Sequence, residues 1–493
     1  MNGVPLETVD LLLVGADSVI TMDSRRRLLS GAALAVNEGR IVAVDDESVV
    51  LGRYTARRTI NCVGKVVVPG LIDAHGHAGH SMIKTLGSDT PSLWMRVVTP
   101  FYFHWTTPEY WHLDGLLSSL ERLRMGVTCG VSVMGSRPRS DDPSISQEHA
   151  RAYAEIGIRD IISVGPAGLP LPHPATRYQG TARAYSESSL DALMAGTESV
   201  INSCHGANNG RTRVFLTPFT IVPSLNPSAP STPDAATHLT ADDINQSRAI
   251  RIMAEKHRVR IHSDAFAGMI RLAAQDEYGL LGPDVHLQHC FGISPEEVNI
   301  LAKTGTHVGH APTGPAPVPH MLAAGINVAI TTDGNSPRRP FDLLQAARSV
   351  QQAHQQSNSD EYLLPPGKLL EMITIDAAAA LGMEDEIGSI EVGKKADIAV
   401  FDFKQAHLTP NWMVVHRLMY EAVGKDVDTV IVDGAVVLDN GVLPSIDEEL
   451  VLAEAGRVAH DAVKRSGLEN HLTEPGWGEI RRQFSTPIDL PTP

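Results

Sequence analysis

The chain has 493 residues, a formal net charge of −16 and 43% hydrophobic residues. This hydrophobic content is enough for a complete globular core, and the length fits one large barrel with one smaller domain. The acidic balance argues against nucleic acid or an anionic membrane surface as a partner. No apolar run approaches the roughly 18 residues of a membrane span, and the N-terminus has no basic leader pattern, so a cytoplasmic protein is expected.

Four cysteines lie far apart in the chain, and none of them forms a Cys-x-x-Cys motif. They are Cys62, Cys129, Cys204 and Cys290. This spacing fits neither a zinc knuckle nor a disulfide framework. Reduced and mostly buried thiols are expected, as in the cytoplasm.

Both ends of the chain are predicted to be rich in β-strands. Short branched and apolar segments, separated by Gly, Asp and Asn, recur in residues 1–68 and again in residues 388–465. The simplest packing joins these two regions into one small, discontinuous β-sandwich domain. The predicted strands are Asp10–Gly15, Ala32–Val36, Arg40–Val44, Asp397–Asp402 and Asp428–Asp433.

Residues 69–387 alternate apolar strands with amphipathic helices, which indicates parallel βα units. Thr107 is followed by a proline, which is typical of a capped helix start. Ser294 and Glu297 form a capping-box pattern before another helix, and Gly305 can end that helix. About 320 residues of this alternation suit a (β/α)8 TIM-like barrel. A doubly wound sheet is the alternative, although the chain has no Gly-x-Gly-x-x-Gly motif.

Two proline-rich stretches interrupt this alternation. Residues 218–233 contain five prolines among Ser, Asn and Ala. The stretch is too long for an ordinary barrel loop, so a lid or substrate loop and a passive surface insertion are both open. The tail, residues 466–493, is predicted either to wrap a neighbouring subunit or to be disordered.

The most informative motif is Val-Pro-Gly-Leu-Ile-Asp-Ala-His-Gly-His, which ends with His75 and His77. Alternate residues of a strand share one face, so two imidazoles placed this way can bind one divalent metal. A His-x-His pair alone is weak evidence for a metal site. Here it follows an apolar strand, Lys65–Val68, then a Pro-Gly break and Asp73, and this context favours a metal site over two core histidines.

Three further predicted strands carry a polar residue at the end. These strands are Arg258–His262, Val285–His289 and Asn327–Asp333. In a barrel the carboxyl ends of all strands open on one face, where active sites are built. We therefore expect His262, His289 and Asp333 to lie close to the His-x-His pair.

These motifs resemble the amidohydrolase superfamily, in its branch of triazine hydrolases and cyclic-base deaminases. The resemblance covers nearly the whole chain, including both β-rich ends. The segments that carry it are Val68–His77, Ser92–Trp94, Ala324–Gly334 and Gly388–Ile398.

The resemblance implies a role for each of five residues. His75, His77, His262 and Asp333 correspond to the ligands of one divalent metal, and His289 to the residue that polarises the substrate. Asp333 also accepts the proton of the attacking water in this family. Three imidazoles and one carboxylate suit Zn²⁺, and they leave Fe, Mn and Co open.

The number of metal ions can also be predicted from the sequence. Dinuclear members of the superfamily bridge two metals with a carboxylated lysine on the fourth strand. This chain has no lysine between Lys84 and Lys256, the interval that contains that strand. A mononuclear site is therefore expected.

The chain departs from the ring deaminases of this branch after the fifth-strand histidine. Those enzymes carry a glutamate three residues after it, and here that position is Ala265. Asp264 points to the opposite side from Ala265 on a regular strand, so we expect it to replace the glutamate only if the strand end bends. The missing glutamate favours substrates that need no ring protonation.

The predicted activity is therefore hydrolysis of a non-peptide C–N bond in a small molecule, by metal-activated water. An amide, a urea, a carbamate and an N-substituted heterocycle are the candidate substrates. A heterocyclic deaminase or s-triazine dechlorinase is the first alternative, and a non-catalytic scaffold barrel is a remote one. Trp94, Asp264 and His310 are the predicted substrate contacts, and a homo-oligomer is expected by analogy with the family.

Overall fold

The computed structural model describes residues 6–86, 91–179, 182–225, 237–275 and 278–472, and for residues 91–97 it describes the helix without the side chains. The predicted contact of Trp94 thus lies outside the described side chains. Most of the proline-rich stretch 218–233 and residues 473–493 of the tail also lie outside the described part.

Strands predominate at both ends of the chain, and strands and helices alternate between them. In chain order the strands are β1 Glu7–Val14, β2 Ser18–Ile20, β3 Leu28–Leu29, β4 Ala32–Asn37, β5 Arg40–Asp46, β6 Tyr54–Asn61, β7 Lys65–Pro69, β8 Leu71–Asp73, β9 His77–Ala78, β10 Val127–Met134, β11 Arg159–Val164, β12 His173–Gln179, β13 Ala182–Ser188, β14 Thr212–Leu216, β15 Ile261–Phe266, β16 Val285–Phe291, β17 His307–His310, β18 Val328–Ile330, β19 Ile398–Asp402, β20 Val427–Val432 and β21 Ala435–Leu438.

Most helices pack around the barrel strands, and the first helix packs on strands of the N-terminal region. The helices are α1 Glu47–Leu51, α2 Pro91–His104, α3 Pro108–Arg124, α4 Pro143–Ile156, α5 Leu190–Cys204, α6 Ala241–His257, α7 Met269–Ala273, α8 Pro295–Thr304, α9 Val318–Ala323, α10 Leu343–Asn358, α11 Pro366–Met372, α12 Ile375–Ala380, α13 Val414–Tyr420 and α14 Glu448–Ser466. No helix in the described ranges is long and apolar enough to span a bilayer.

Eight parallel strands form the barrel, in the order β8, β10, β11, β14, β15, β16, β17 and β18. The ring closes where Gly76 and Asp333 form a parallel bridge beyond the ends of β8 and β18. The Asp333 amide donates to the His75 carbonyl at 3.1 Å across this closure. The predicted (β/α)8 barrel is confirmed, and the doubly wound alternative is wrong because the first and last strands meet.

Two sheets beside the barrel contain the β-strands of both chain ends. The four-stranded sheet has the order β5, β4, β1, β6, and the six-stranded sheet has the order β21, β20, β19, β7, β2, β3. Val67 of β7 pairs with Val400 of β19, which joins the two ends of the chain directly. Buried apolar side chains from both sheets, among them Leu13, Leu34 and Ile398, form a common core. The predicted sandwich of both chain ends is confirmed.

The predicted helix caps are confirmed, whereas one strand differs from its prediction. Thr107 accepts the amide of Tyr110 at the start of α3, and Ser294 and Glu297 form a capping box at α8. The strand predicted as Arg258–His262 is instead Ile261–Phe266. Arg258 has a left-handed backbone that caps α6, so His262 stands near the start of β15 and not at its end.

Candidate active site

A cavity of about 450 Å³ opens at the carboxyl end of the barrel strands. This is the face where strand ends and the following loops converge in such barrels. Its lining residues are His77, His80, Val98, Thr99, Ser136, Arg137, Phe219, Asp264, Phe266, His289, Asp333, Ser336 and Arg339. The apolar walls come from Val98, Phe219 and Phe266, whereas Phe101 and Phe103 are buried in the core.

The two histidines of the His-x-His motif are buried and face the same point. His77 donates from Nδ1 to the Gly135 carbonyl at 2.7 Å, which turns its Nε2 to within 3.2 Å of Asp333 Oδ1. The Nε2 atom of His75 lies 3.5 Å from the same oxygen. The Nδ1 atom of His75 lies 2.7 Å from Nε2 of His262. The structure thus brings His75, His77, His262 and Asp333 together.

A backbone carbonyl sets the orientation of the His262 ring. His262 Nδ1 donates to the His286 carbonyl at 3.1 Å, so the Nε2 atom points towards His75. Burial lowers the pKa of His262 to about 3 and holds the pKa of His75 well below its ordinary value. Both imidazoles are therefore neutral, the form in which histidine binds metals.

The donor set fits a divalent metal ion. One ligand atom each of His75, His77 and Asp333 lies within 4.8 Å of the others. The Nε2 atom of His75 is fully buried and has no hydrogen-bond partner among the described residues. Leaving a buried polar atom without a partner is costly, and coordination to a cation would satisfy it.

The backbone and surroundings of Asp333 are unusual. Its φ of 63° lies in the left-handed region, which non-glycine residues seldom adopt and which is frequent at active sites. Arg339 Nη2 donates to Asp333 Oδ2 at 3.1 Å. Burial alone would raise the pKa of Asp333, but the Arg339 charge and the His75 and His77 imidazoles beside the carboxylate outweigh it and hold the pKa well below its usual range. Asp333 is therefore a carboxylate, able to bind a cation and accept a proton.

Asp264 and His289 form a second pair in the same cavity. His289 Nε2 lies 3.9 Å from Asp264 Oδ2, and ligand atoms of both residues lie within 4.8 Å of one on His75. Burial raises the pKa of Asp264, although the nearby His289 opposes this shift. His289 also has a left-handed backbone, with φ of 73°, and stacks on Phe266 at 5.4 Å between ring centroids.

The expected bend is not needed to bring Asp264 into the cavity. Asp264 comes two residues after His262, and alternate residues of a strand share one face. Phe266 continues the same face and also lines the cavity. Ala265 is fully buried on the other face, opposite His289 in the strand register. The register between β15 and β16 is regular up to Ala265 and shifts between Ala265 and Phe266, so the irregularity follows Asp264. Replacement of the glutamate by Asp264 stays a prediction.

His310, a predicted substrate contact, does not line this cavity. It lines a neighbouring cavity of about 590 Å³, and its Nε2 atom lies 3.4 Å from Nε2 of His354. The Phe291 ring lies between the two sites, 4.8 Å from the His289 ring and 6.3 Å from the His310 ring. Position at a strand end was therefore not enough to identify a cavity residue.

Among the cavity residues that the sequence analysis missed, three have ionisable side chains. They are His80, which stacks on His77 at 4.8 Å between ring centroids, and Arg137 and Arg339, which line the cavity. Arg137 lies three residues after the end of β10, and Arg339 lies six residues after Asp333. Loops after barrel strands carry the active-site residues, so the charged residues in these loops could have been predicted to line the cavity.

Fold and site together define a barrel enzyme with a His and Asp cluster at the carboxyl end of its strands. A family model described as the amidohydrolase family matches residues 66–437. The chain belongs to the amidohydrolase family. It is therefore a hydrolase acting on C–N or related bonds, and the scaffold alternative is not supported.

Curated relatives match most of the chain. A 5-methylthioadenosine/S-adenosylhomocysteine deaminase of Desulforudis audaxviator is 32% identical over 443 residues, which is 87% of this chain and 95% of the relative. A 5′-deoxyadenosine deaminase of Methanosarcina acetivorans is 27% identical over 461 residues, covering 91% of this chain and 97% of the relative.

Solved structures share the fold. An adenosine deaminase of Xanthomonas campestris with bound zinc has a TM-score of 0.79 at 23% identity, and the match covers 93% of this chain and 100% of that one. Atrazine chlorohydrolase of Arthrobacter aurescens, complexed with zinc, has a TM-score of 0.74 at 22% identity, with 91% and 100% covered. At this level of identity the likeness concerns the fold.

Proposed function

We propose that the protein is a mononuclear metal hydrolase that removes an amino group from an N-heterocycle. One observation carries this proposal. The two carboxyl groups of the cavity, Asp333 and Asp264, each have an oxygen within 4.8 Å of a ligand atom of His75. Hydrolytic deamination of a ring needs two proton transfers. One moves a proton from the attacking water to the leaving nitrogen, and the other protonates the ring nitrogen. Asp333 and Asp264 provide one carboxyl group for each of these proton transfers.

His75, His77, His262 and Asp333 are the proposed ligands. When bound, a divalent metal supplies Lewis-acid activation of water at neutral pH. Asp333 takes the proton of the attacking water and passes it to the leaving amine. Its contact with Arg339 keeps it ionised until that proton arrives. The left-handed backbone at Asp333 fixes the direction of the carboxylate.

Asp264 is the proposed acid for the ring nitrogen, in the role that glutamate has in related deaminases. Protonation there makes the ring carbon more electrophilic as water adds. His289 is the proposed donor to the atom on which negative charge develops. Its stacking on Phe266 fixes the plane of the imidazole. Because Asp264 lies in the cavity and can protonate a ring, the proposed substrate is a heterocycle and not an amide or a urea.

The names of the curated relatives support this substrate class. Relatives that match about nine-tenths of the chain are named as deaminases of adenosine derivatives. The Val98, Phe219 and Phe266 side chains provide apolar walls against which a flat ring can pack. A purine or similar aminoheterocycle is therefore the proposed substrate.

Ammonia release is the test. Metal-loaded protein is incubated with adenosine, 5′-deoxyadenosine, 5-methylthioadenosine and an aminotriazine, and ammonia is measured in a coupled assay. We expect ammonia from at least one compound, and its loss in Asp264→Asn and Asp333→Asn. Release of chloride from a chlorotriazine without any deamination would favour the dechlorinase alternative. Release of amine from amides or ureas alone would instead support the activity first predicted from the sequence, the hydrolysis of a non-peptide C–N bond in an amide or urea.

Zinc is the proposed metal, because imidazole and carboxylate donors suit it and two similar structures contain zinc. We further propose a homo-oligomer, supported by exposed apolar side chains such as Trp412, Met413 and Leu450. A reducing compartment such as the cytoplasm is supported by four free, buried cysteines. The proposed domains are residues 1–68 with 388–465 for the sandwich, 69–387 for the barrel and 466–493 for the tail.

A further inference from the structure

Two arginines of the loop after β10 have opposite environments. Arg139 is fully buried and saturated with partners, since it pairs with both Asp141 oxygens at 2.8 and 3.2 Å and donates to the carbonyls of Tyr102 and Thr176. Arg137 forms no hydrogen bond or ion pair with any described residue, and its buried Nε atom has no partner. Arg139 therefore anchors the loop, whereas Arg137 is left with an uncompensated charge in the cavity.

The contact that Arg137 does make leaves its donors available. Its guanidinium carbon lies 4.6 Å from the centre of the Phe219 ring. Stacking of this kind covers a face of the planar group and leaves the N–H groups at its edges. Burial lowers the pKa of Arg137, but an arginine side chain stays protonated in proteins. The cavity thus presents an oriented cation whose donors have no acceptor among the residues that the structure describes.

The other charged groups of the cavity do not balance Arg137. Arg339 is already bound to the Asp333 carboxylate and to the Gly334 carbonyl. Asp264 lies 3.9 Å from His289 and forms no ion pair with Arg137. The two carboxylates and two guanidinium groups of the cavity cancel in formal charge, so a bound divalent metal would give the cavity an excess of positive charge. A partly buried cation without a counter-ion is costly to the folded protein, and such a cost is typical of a binding site.

We propose that Arg137 binds an anionic oxygen group of the substrate, a carboxylate or a phosphate. Planar, forked donors of arginine match the two oxygens of such groups. The inference rests on the proposed function and narrows it: the substrate is an aminoheterocycle that carries an acidic substituent. The ring packs near Asp264 and His289, and the acidic group reaches the Arg137 edge beside Phe219.

The test uses matched substrates on the metal-loaded protein. Adenosine is the neutral member, and its 5′-carboxylate and 5′-monophosphate are the two anionic members. We expect the wild type to prefer one anionic member. Arg137→Met then lowers kcat/KM for that member by about 10- to 100-fold, mainly through KM, and changes the value for adenosine by less than about threefold. Arg183→Met is the matched control, since Arg183 stacks on Trp105 outside the cavity and its loss should change neither value.

A stability measurement separates a binding role from a structural one. Removing an uncompensated charge should leave the thermal midpoint of Arg137→Met equal to or above that of the wild type. Arg139→Met should lower the midpoint clearly, because Asp141 would lose its partner. A lower midpoint in Arg137→Met together with equal losses on neutral and anionic substrates would show a structural role and overturn the inference.

Binding of the reaction products tests the anion site without requiring deaminase activity. Calorimetry compares inosine with its 5′-carboxylate and 5′-monophosphate on wild type, Arg137→Met and Arg183→Met. If no compound releases ammonia but Arg137→Met alone loses the tighter binding of an anionic member, the proposed function fails and the anion site stands. If adenosine is deaminated and no Arg137-dependent preference appears in either assay, the anion site is overturned and the deaminase remains.

Discussion

Arg122 and Asp73 form a fully buried ion pair beneath the candidate metal cluster, with Arg122 Nε and Nη2 lying 3.2 and 3.0 Å from Asp73 Oδ2. Asp73 also accepts the Thr332 amide at 3.0 Å and the Thr332 hydroxyl at 2.7 Å. Asp73 ends the first barrel strand, and Thr332 precedes Asp333 after the last strand. The pair therefore fixes the closure of the barrel where His75 and Asp333 meet.

Replacing Arg122 with methionine should destabilise the protein and loosen the metal site. An uncompensated carboxylate at Asp73 would remain in a dry interior, at a cost of about 3–5 kcal/mol. We expect a lower thermal midpoint and a weaker affinity for Zn²⁺, measured by competition with a chelator. Arg151→Met is the control, because that exposed pair with Glu148 contributes about 0–1 kcal/mol at most. A midpoint like that of the control would show that the buried pair does not stabilise the closure.

Replacing His262 with alanine should remove the metal. The wild type is expected to hold about one equivalent of metal per chain, because three imidazoles and one carboxylate form one site. His262→Ala should lose most of it, and the hydrolytic rate should fall below detection. Elemental analysis of the two proteins measures this directly. His320→Ala is the matched control, since His320 is exposed and belongs to the neighbouring cavity.

Two outcomes of that analysis would contradict the site. Retention of one equivalent in His262→Ala would place the metal elsewhere. Two equivalents in the wild type would mean that a bridging ligand replaces the lysine that this chain lacks between Lys84 and Lys256.

Replacing Asp264 with asparagine should reduce turnover without loss of metal. Asparagine keeps the size of the side chain but cannot donate a proton to the ring, and loss of such an acid costs about 10²–10⁴-fold in rate. Steady-state kinetics and elemental analysis on the same preparation check this. Asp284→Asn is the matched control, because Asp284 precedes β16 at the opposite end of the barrel. A variant that keeps its full rate would exclude Asp264 as the acid.

Much of the candidate metal cluster was predictable because its spacing follows from the fold. His75 and His77 follow one apolar run, His289 lies near the end of β16, and Asp333 follows β18, so a parallel barrel brings them to one face. His262 still lies beside His75, although the left-handed cap at Arg258 places its strand further towards the C-terminus than predicted. The two-residue period of a strand determines which side chains face inwards. The prediction of that face therefore stays valid when the ends of the strand are misplaced.

The rest of the cavity depends on loop conformation, which periodicity does not encode. Arg137 and Arg139 are separated by one proline, yet only Arg139 finds a carboxylate, on Asp141. The hairpin of β12 and β13 supplies another acceptor for Arg139, the Thr176 carbonyl, and it was not predicted. His310 lines the neighbouring cavity, with its ring 6.3 Å from the Phe291 ring. The contacts of Arg139 with Thr176 and of His310 with Phe291 join separate segments of the chain, so no local pattern predicts them.

Asp160 provides a test of pH dependence away from the metal cluster. It is fully buried, and its Oδ2 atom lies 3.7 Å from His149 Nε2, while His149 Nδ1 lies 3.8 Å from Asp114. Burial raises the pKa of Asp160 to about 7 against an ordinary value of 3.8, and Arg122 opposes this shift. Burial also lowers the pKa of His149 to about 3, so His149 remains neutral.

The direction of the stability change follows from the bound proton. Between about pH 4 and pH 7 the folded protein keeps a proton on Asp160 that the unfolded chain has released, so stability falls as the pH rises through this window and is level above it. Asparagine cannot ionise, so Asp160→Asn should escape this loss. In scanning calorimetry, its thermal midpoint should exceed that of the wild type increasingly from pH 5 to about pH 7, and by a nearly constant amount above that. Asp385→Asn, at an exposed carboxylate, should show a difference that does not change with pH. A gap that stays constant from pH 5 to pH 8 would mean that Asp160 is already ionised in the folded protein at pH 5, and it would contradict the raised pKa.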